Sequence, residues 1–219
     1  MLRAMVKQIL KLDKTNFEQS VQRTIDCLSK NKVAAVPTDT IYGLTSMVTN
    51  SDLLYKIKER SGAKPIALCV GDISDFYIFS KVTVSETLLR ALLPGPVTLI
   101  FERTSALPEV MNPNSDTIGI RIPDHPFMIE LCRRFQPLAL TSANISDGSS
   151  CLKIEEFENI WPKIDLIIDG GAIPETNLSR YGSTVVDLSI PGQYKIVRNG
   201  SALKQTAAVL IKEGLTERQ

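Results

Sequence analysis

Short apolar runs of the kind that fill buried strands alternate with helix-periodic stretches along the whole chain, and no linker, repeat or low-complexity tract interrupts them. Few architectures accept that alternation, and the one it points to is a helix-covered, mostly buried sheet. Residues 33–36 form one apolar run, stopped by Pro37, because proline cannot donate to a strand ladder. Further strands are expected over 66–70, 97–101, 138–140, 166–168, 183–188 and 194–197. Between 117 and 122 the isoleucines 118, 120 and 122 take one face, while Thr117, Gly119 and Arg121 take the other. Helices are expected behind Thr15 and Asn16, from Ser51 to Ser61-Gly62, over 85–93 before Pro94-Gly95-Pro96, and over 126–135. A closing helix over 202–212 is expected to bury Leu203, Ala207, Leu210 and Ile211.

A chain of 219 residues is long enough for a core without staples. Nothing marks an internal boundary, so one domain over 1–219 is expected, with a core of about 15–212 and frayed ends. A net charge of +1 gives no global field to recruit nucleic acid or an anionic membrane. Polyanion binding would have to come from local cations. Cys27, Cys69, Cys132 and Cys151 show no CxxC spacing, which fits free thiols in a reducing compartment. With His125 the only histidine, neither a zinc site nor a Ser-His-Asp triad is expected. No apolar run approaches a membrane span. The basic start, with Arg3, Lys7 and Lys11, reads either as a frayed terminus or as a mitochondrial-type cue, so a cytoplasmic location is expected with a mitochondrial one as the alternative.

Neither GxxxxGK[ST] nor GxGxxG occurs, so a bound nucleotide would be held by side-chain cations and ordinary amides. Four polar clusters sit at strand ends or in turns. Pro37-Thr38-Asp39-Thr40-Ile41-Tyr42-Gly43-Leu44 crowds hydroxyls and a carboxylate into what reads as one turn, with Asp39 either a cap or a ligand group. Lys58, Arg60 and Lys64 bracket a helix end. On a continuing helix Lys58 and Arg60 would diverge by roughly 200°, but at a terminus they can converge on one anion; solvated helix-end cations are the alternative. Arg121, in a strand of isoleucine and glycine, must reach water, a ligand or an internal carboxylate, and Gly119 leaves room beside it. Thr141-Ser142-Ala143-Asn144, with Ser146, Ser149 and Ser150 downstream, offers hydroxyls and an amide as either oxyanion donors or helix caps. Ser183 after Gly182 and Arg198 before Gly200 lie at further strand ends.

Taken in order, these stretches resemble the YrdC family of threonylcarbamoyl-AMP synthases. The resemblance runs from about 33 to 200 and rests on residues 37–44, Lys58-x-Arg60, Leu-Pro-Gly-Pro-Val-Thr at 93–98 and Arg-Ile-Pro-Asp-His-Pro at 121–126. Ser142-x-Asn144, Asp-Gly-Gly at 169–171, Gly-Ser-Thr-Val-Val-Asp at 182–187 and Arg-Asn-Gly at 198–200 complete it. It implies an α/β fold of α+β type, a twisted mixed sheet flanked by helices around a positively charged cavity. It also implies a reaction in which L-threonine, bicarbonate or CO2 and ATP give threonylcarbamoyl-AMP and pyrophosphate, for threonylcarbamoyladenosine modification of tRNA. Magnesium would ride on the ATP phosphates rather than in an acidic cage. By matching position, Arg60, Lys64, Thr117, Ser142, Ser150 and Arg198 face ATP, while Thr38, Arg121 and Ser183 face threonine. Lys58, Arg60, Ser142 and Asn144 form the catalytic tetrad. His125 is expected to be structural. Many members have Asn-Pro where this chain has Lys64-Pro65, and a histidine where it has Cys69, so a Cys69 contact does not carry over. The chain resembles the short, one-domain form, in which the loop over 173–181 or a partner would shield the intermediate. A tRNA contact and a downstream threonylcarbamoyl-transferase complex are implied, and no membrane. The competing readings are a duplex-RNA or tRNA-binding module without catalysis and a relative that kept the cavity but lost synthesis. Near-zero charge and few aromatics near the cations weigh against the first.

Overall fold

The computed structural model describes residues 8–59, 65–145 and 148–218. Its strands are β1 (Ile9–Lys11), β2 (Ala34–Val36), β3 (Gly43–Met47), β4 (Ala67–Cys69), β5 (Ser80–Lys81) and β6 (Val97–Arg103). They continue with β7 (Thr117–Arg121), β8 (Leu138–Ser142), β9 (Leu166–Asp169), β10 (Thr184–Asp187), β11 (Gln193–Arg198) and β12 (Thr216–Glu217). The helices are α1 (Phe17–Leu28), α2 (Asp52–Ile57), α3 (Ser74–Phe79), α4 (Glu86–Leu92), α5 (Pro126–Arg134) and α6 (Leu203–Lys212). All described strands join one mixed sheet in the order β1-β9-β2-β3-β8-β4-β7-β6-β10-β11-β12, with β5 beside β6. The mixed α/β fold and its large sheet agree with the expectation from sequence.

Strand periodicity explains the central layer. Ile118 and Ile120 of β7 and Leu99 and Phe101 of β6 point into the larger core, together with Leu68, Leu88, Leu89 and Phe157. On the opposite face α1 and α5 cover part of the sheet, burying Val21, Leu28, Phe127, Met128 and Leu131 against Val36, Cys69, Leu138 and Leu140. Leu140 pairs with Ala67 and Gly119 with Ile100, so this row of side chains runs on beyond the helices as the floor of a cavity.

Several local readings differ from the sequence expectations. Residues 43 and 44, read as part of a turn, open β3, which pairs antiparallel with both β2 and β8. The sheet extends past the expected 15–212 core, since β1 pairs with β9 and β12 with β11. Helix α2 stops at Ile57, and Glu59 takes φ 52°, a left-handed turn that ends the helix before the expected Ser61-Gly62, which lies outside the described residues. In α6 Thr206 and Leu210 are buried, whereas Ile211 is 63% exposed, because the buried stripe is narrower than the apolar content suggests. At α1 the capping is done upstream. Asp13 Oδ1 accepts from Thr15 N, Thr15 Oγ1 and Asn16 N, at 2.8, 2.6 and 3.2 Å. Ser85 caps α4 as its position suggests, accepting from Leu88 N at 3.1 Å.

Candidate active site

The uncovered part of the floor, framed by loops from distant parts of the chain, encloses a cavity of about 720 Å³. Lys58, Arg121 and Arg198 line it, with the hydroxyls of Thr38, Thr98, Thr117, Thr141, Ser142 and Ser183. Gly119 lies on its floor, where a Cβ would come to 3.0 Å of Thr98 Cγ2. The volume is in the range of ordinary ligand sites.

Arg121 ends β7 at 6% exposure, and its Nη2 donates to Asp39 Oδ1 at 2.6 Å. The sequence left ligand and internal carboxylate as equal alternatives for this arginine. The structure gives it the carboxylate and still sets it in the cavity wall. Its buried Nε and Asp39 Oδ2 have no partner.

Arg198 ends β11. Its Nε and Nη2 donate to the Ser183 carbonyl at 3.0 and 2.8 Å, and Nη2 also reaches Ser183 Oγ at 2.9 Å. Partial desolvation first, and the Arg121 charge second, hold its pKa below the ordinary arginine value. Ser183 Oγ in turn shares a hydrogen bond of 2.8 Å with Thr98 Oγ1. The Arg-Asn-Gly spacing has a steric reason, since a Cβ on Gly200 would sit 2.1 Å from Thr184 N and 2.2 Å from the Ser183 carbonyl carbon.

Lys58, just past α2, is 3% exposed. Its Nζ meets the carbonyls of Ser142 and Asn144 at 2.7 and 2.6 Å, and their side-chain oxygens at 3.1 and 3.2 Å. Three members of the expected tetrad therefore converge. Arg60 and Lys64 lie outside the described residues, as does Ser146. Thr38 Oγ1 donates to the Ile41 carbonyl at 2.7 Å and accepts from Thr40 N and Ile41 N, so its hydroxyl also shapes the turn.

Thr117 faces the cavity from the start of β7, whereas Ser150 lies outside its lining; there the backbone carbonyl of Ser150 accepts from Arg180. Cys69 is fully buried beside Cys132 and is absent from the lining. Sequence reasoning passed over Thr98 as a site residue, although it closes the Leu-Pro-Gly-Pro-Val-Thr motif. It also passed over Tyr42, whose hydroxyl donates to the Gly171 carbonyl at 2.7 Å and accepts from Gly170 N at 3.0 Å, which ties Asp-Gly-Gly to the cavity wall. Burial foremost pushes the Tyr42 pKa up, so this phenol remains a neutral donor.

His125 precedes α5, and its buried Nδ1 has no partner. Burial lowers its pKa below 6.5, against the opposing pull of Asp39 and Asp124. A depressed folded-state value means that the unfolded chain binds the proton first as pH falls. Stability is therefore expected to drop from about pH 6.5 downward. His125→Asn should flatten that part of a melting-temperature-against-pH curve.

The Sua5/YciO/YrdC family model, described as telomere recombination, matches residues 26–200. The chain belongs to the Sua5/YciO/YrdC family. Among its relatives, the threonylcarbamoyl-AMP synthase of Bos taurus is 47% identical over 209 residues, covering 93% of this chain and 76% of that protein. The Homo sapiens threonylcarbamoyl-AMP synthase is 47% identical over 90% of this chain and 73% of its own length. The Pyrococcus abyssi Sua5 structure complexed with L-threonine superposes with a TM-score of 0.82 at 26% identity, over 95% of this chain. This chain spans only 62% of that protein's length. Escherichia coli YciO, at 23% identity and a TM-score of 0.77, shares the fold.

Among the described residues no helix is long and apolar enough to cross a membrane, and no group of three or more His, Cys, Asp or Glu could hold a metal. Asp39, behind the cavity wall, is paired with Arg121 through Oδ1.

Proposed function

We propose that this chain is an L-threonylcarbamoyladenylate synthase, making threonylcarbamoyl-AMP and pyrophosphate from L-threonine, bicarbonate or CO2, and ATP. Beyond the family itself, one observation carries the reading. Arg121 and Arg198, brought from different strands, line one hollow, where burial first and the Arg121 charge second hold the Arg198 pKa below its ordinary value. Two guanidinium groups that repel each other across a cavity gain most when an anion sits between them. Threonine's carboxylate and the ATP phosphates are such anions.

Arg121 presents its remaining donors to the threonine carboxylate, with Thr38 and Ser183 beside it. Thr117, Ser142 and Arg198, with Arg60 and Lys64, attend the ATP, whereas Ser150 lies outside the cavity lining. Magnesium would arrive as part of the substrate MgATP, carried mainly by the phosphates. The threonine amine, as free base, bonds to the carbon of CO2 and releases a proton to solvent, or bonds to the carbon of bicarbonate with loss of water; either route gives a carbamate. A carbamate oxygen then bonds to the ATP α-phosphorus as the bond to the pyrophosphate oxygen breaks. Such displacement depends on positioning and on charge neutralisation rather than on covalent help. Lys58, occupied with Ser142 and Asn144, holds the turn that carries them. The product would pass to a transferase acting on tRNA.

Pyrophosphate release with ATP, bicarbonate and each amino acid in turn tests the reading. Release is expected with threonine, and only weakly with residues lacking its hydroxyl. Arg60→Ala should abolish it in a folded protein. Threonine-independent release, or duplex-RNA binding with no release, would refute the assignment.

A further inference from the structure

Beside the main cavity lies a second hollow of about 310 Å³, bounded by Asn144, Gly148, Ser149, Cys151, Glu156 and Arg180. Asn144 belongs to both walls. It also ties them together, since it receives Lys58 on one side and donates through Nδ2 to the Gly148 carbonyl at 2.5 Å on the other.

Backbone bonds from Tyr42 N to the Cys151 carbonyl and from Ile173 N to the Leu152 carbonyl, each 2.8 Å, anchor the far end of this hollow's wall, and Arg180 holds its outer side. Arg180 belongs to a short helical turn, Ser179–Tyr181. Its Nη1 donates to the Ser150 carbonyl at 2.7 Å and to Glu156 Oε2 at 2.9 Å, and its Nη2 to Glu156 Oε1 at 3.0 Å. Its Nε donates to Glu175 Oε1 at 3.0 Å. Glu156 Oε2 in addition accepts from Leu152 N at 2.9 Å. One guanidinium thus fastens the turn over 148–152 to the segment over 175–180 through several donors of its planar fork, a geometry that a point charge cannot reproduce. Its own segment is a firm anchor, because Ser179 Oγ donates to the Pro174 carbonyl at 2.8 Å and accepts from Thr176 N at 2.6 Å.

We propose that Arg180 is a positioning residue for ATP: by stapling the 148–152 turn it fixes the wall that continues from Asn144, and so the polar groups that meet the nucleotide. The inference rests on the proposed function in placing ATP on the Ser142–Asn144 side. Three residues further on, Ser183 has anchors of its own. It is held by Arg198 and Thr98, and Ser201 N bonds to the Gly182 carbonyl at 2.9 Å. Loosening Arg180 should therefore disturb the ATP side while leaving the threonine side in place.

The test compares Arg180→Ala, Arg180→Lys, Glu156→Gln and the Arg180→Ala/Glu156→Gln double variant in the full chain. Pyrophosphate release gives the KM for ATP and for threonine, and calorimetry gives ATP binding directly. The ATP KM and Kd are expected to rise about tenfold in Arg180→Ala, as for a displaced substrate-positioning wall, with the threonine KM within about twofold. Arg180→Lys should behave like the alanine variant, and the double variant should be no worse than Arg180→Ala, because both residues act in one network. A parallel rise in both KM values, unchanged ATP affinity, or full rescue by lysine would overturn the proposal. If the wild-type chain releases no pyrophosphate yet Arg180→Ala weakens ATP binding, the synthase reading fails and this one stands. If the wild-type chain is active and ATP affinity is untouched by the substitution, only this one fails.

Discussion

Arg121→Ala is expected to lower kcat/KM for threonine by at least about 100-fold, the loss typical when one partner of a buried, hydrogen-bonded charge pair is truncated. Two effects overlap in that variant, and they can be separated. On the proposed reading the substrate carboxylate loses its guanidinium, while Asp39 (9% side-chain exposure) is left as a buried charge without its cation. The second effect alone should cost about 3–5 kcal/mol of stability. Arg121→Ala/Asp39→Asn removes the stranded charge, so its melting temperature should recover toward wild type while activity stays lost. Arg121→Lys should keep an ion pair with Asp39 but give up the fork that serves two carboxylates together, and it should remain strongly impaired. Near-normal turnover in the lysine variant would mean that Arg121 only closes an internal ion pair.

The strand that carries Arg121 was legible because its signal is local. Alternation over Thr117–Arg121 sends Ile118 and Ile120 to the core and leaves Thr117, Gly119 and Arg121 on the cavity side, as the pleat requires. Ser85 and Pro94 bounded α4 for reasons equally near in sequence. What escaped was set by partners far along the chain. Gly43–Met47 has little intrinsic strand character, yet becomes β3 because β2 and β8 pair on both its sides. The partner of Arg121 is Asp39, 82 positions earlier, and no periodicity reveals it. Thr98 stood in a recognised motif, but its contact with Ser183 exists only once β6 and β10 lie side by side. Ser150, expected by matching position to face ATP, lies outside the cavity lining, and its carbonyl accepts from Arg180, a contact no local pattern reveals.

Lys58→Met is expected to cost both stability and activity, and the order in which they fail identifies what Lys58 does. Its ammonium has three protons to share among four oxygens of Ser142 and Asn144. Removing it leaves two carbonyls and two side-chain oxygens competing for fewer donors in a poorly solvated place. A loss of about 2–5 kcal/mol follows, a large part of a typical folding free energy and equivalent to roughly 4–20 °C in melting temperature for a domain of this size. Lys58→Arg should not rescue it, because a planar fork does not match oxygens gathered around one point. If Lys58 is chiefly the clamp of the Ser142–Asn144 turn, the melting temperature falls without any ligand present, and ATP affinity falls because the turn has moved. If it instead serves the phosphates directly, the ligand-free melting temperature stays near wild type and only the stabilisation conferred by ATP disappears. The four short contacts favour the first outcome, and melting curves with and without ATP decide between them.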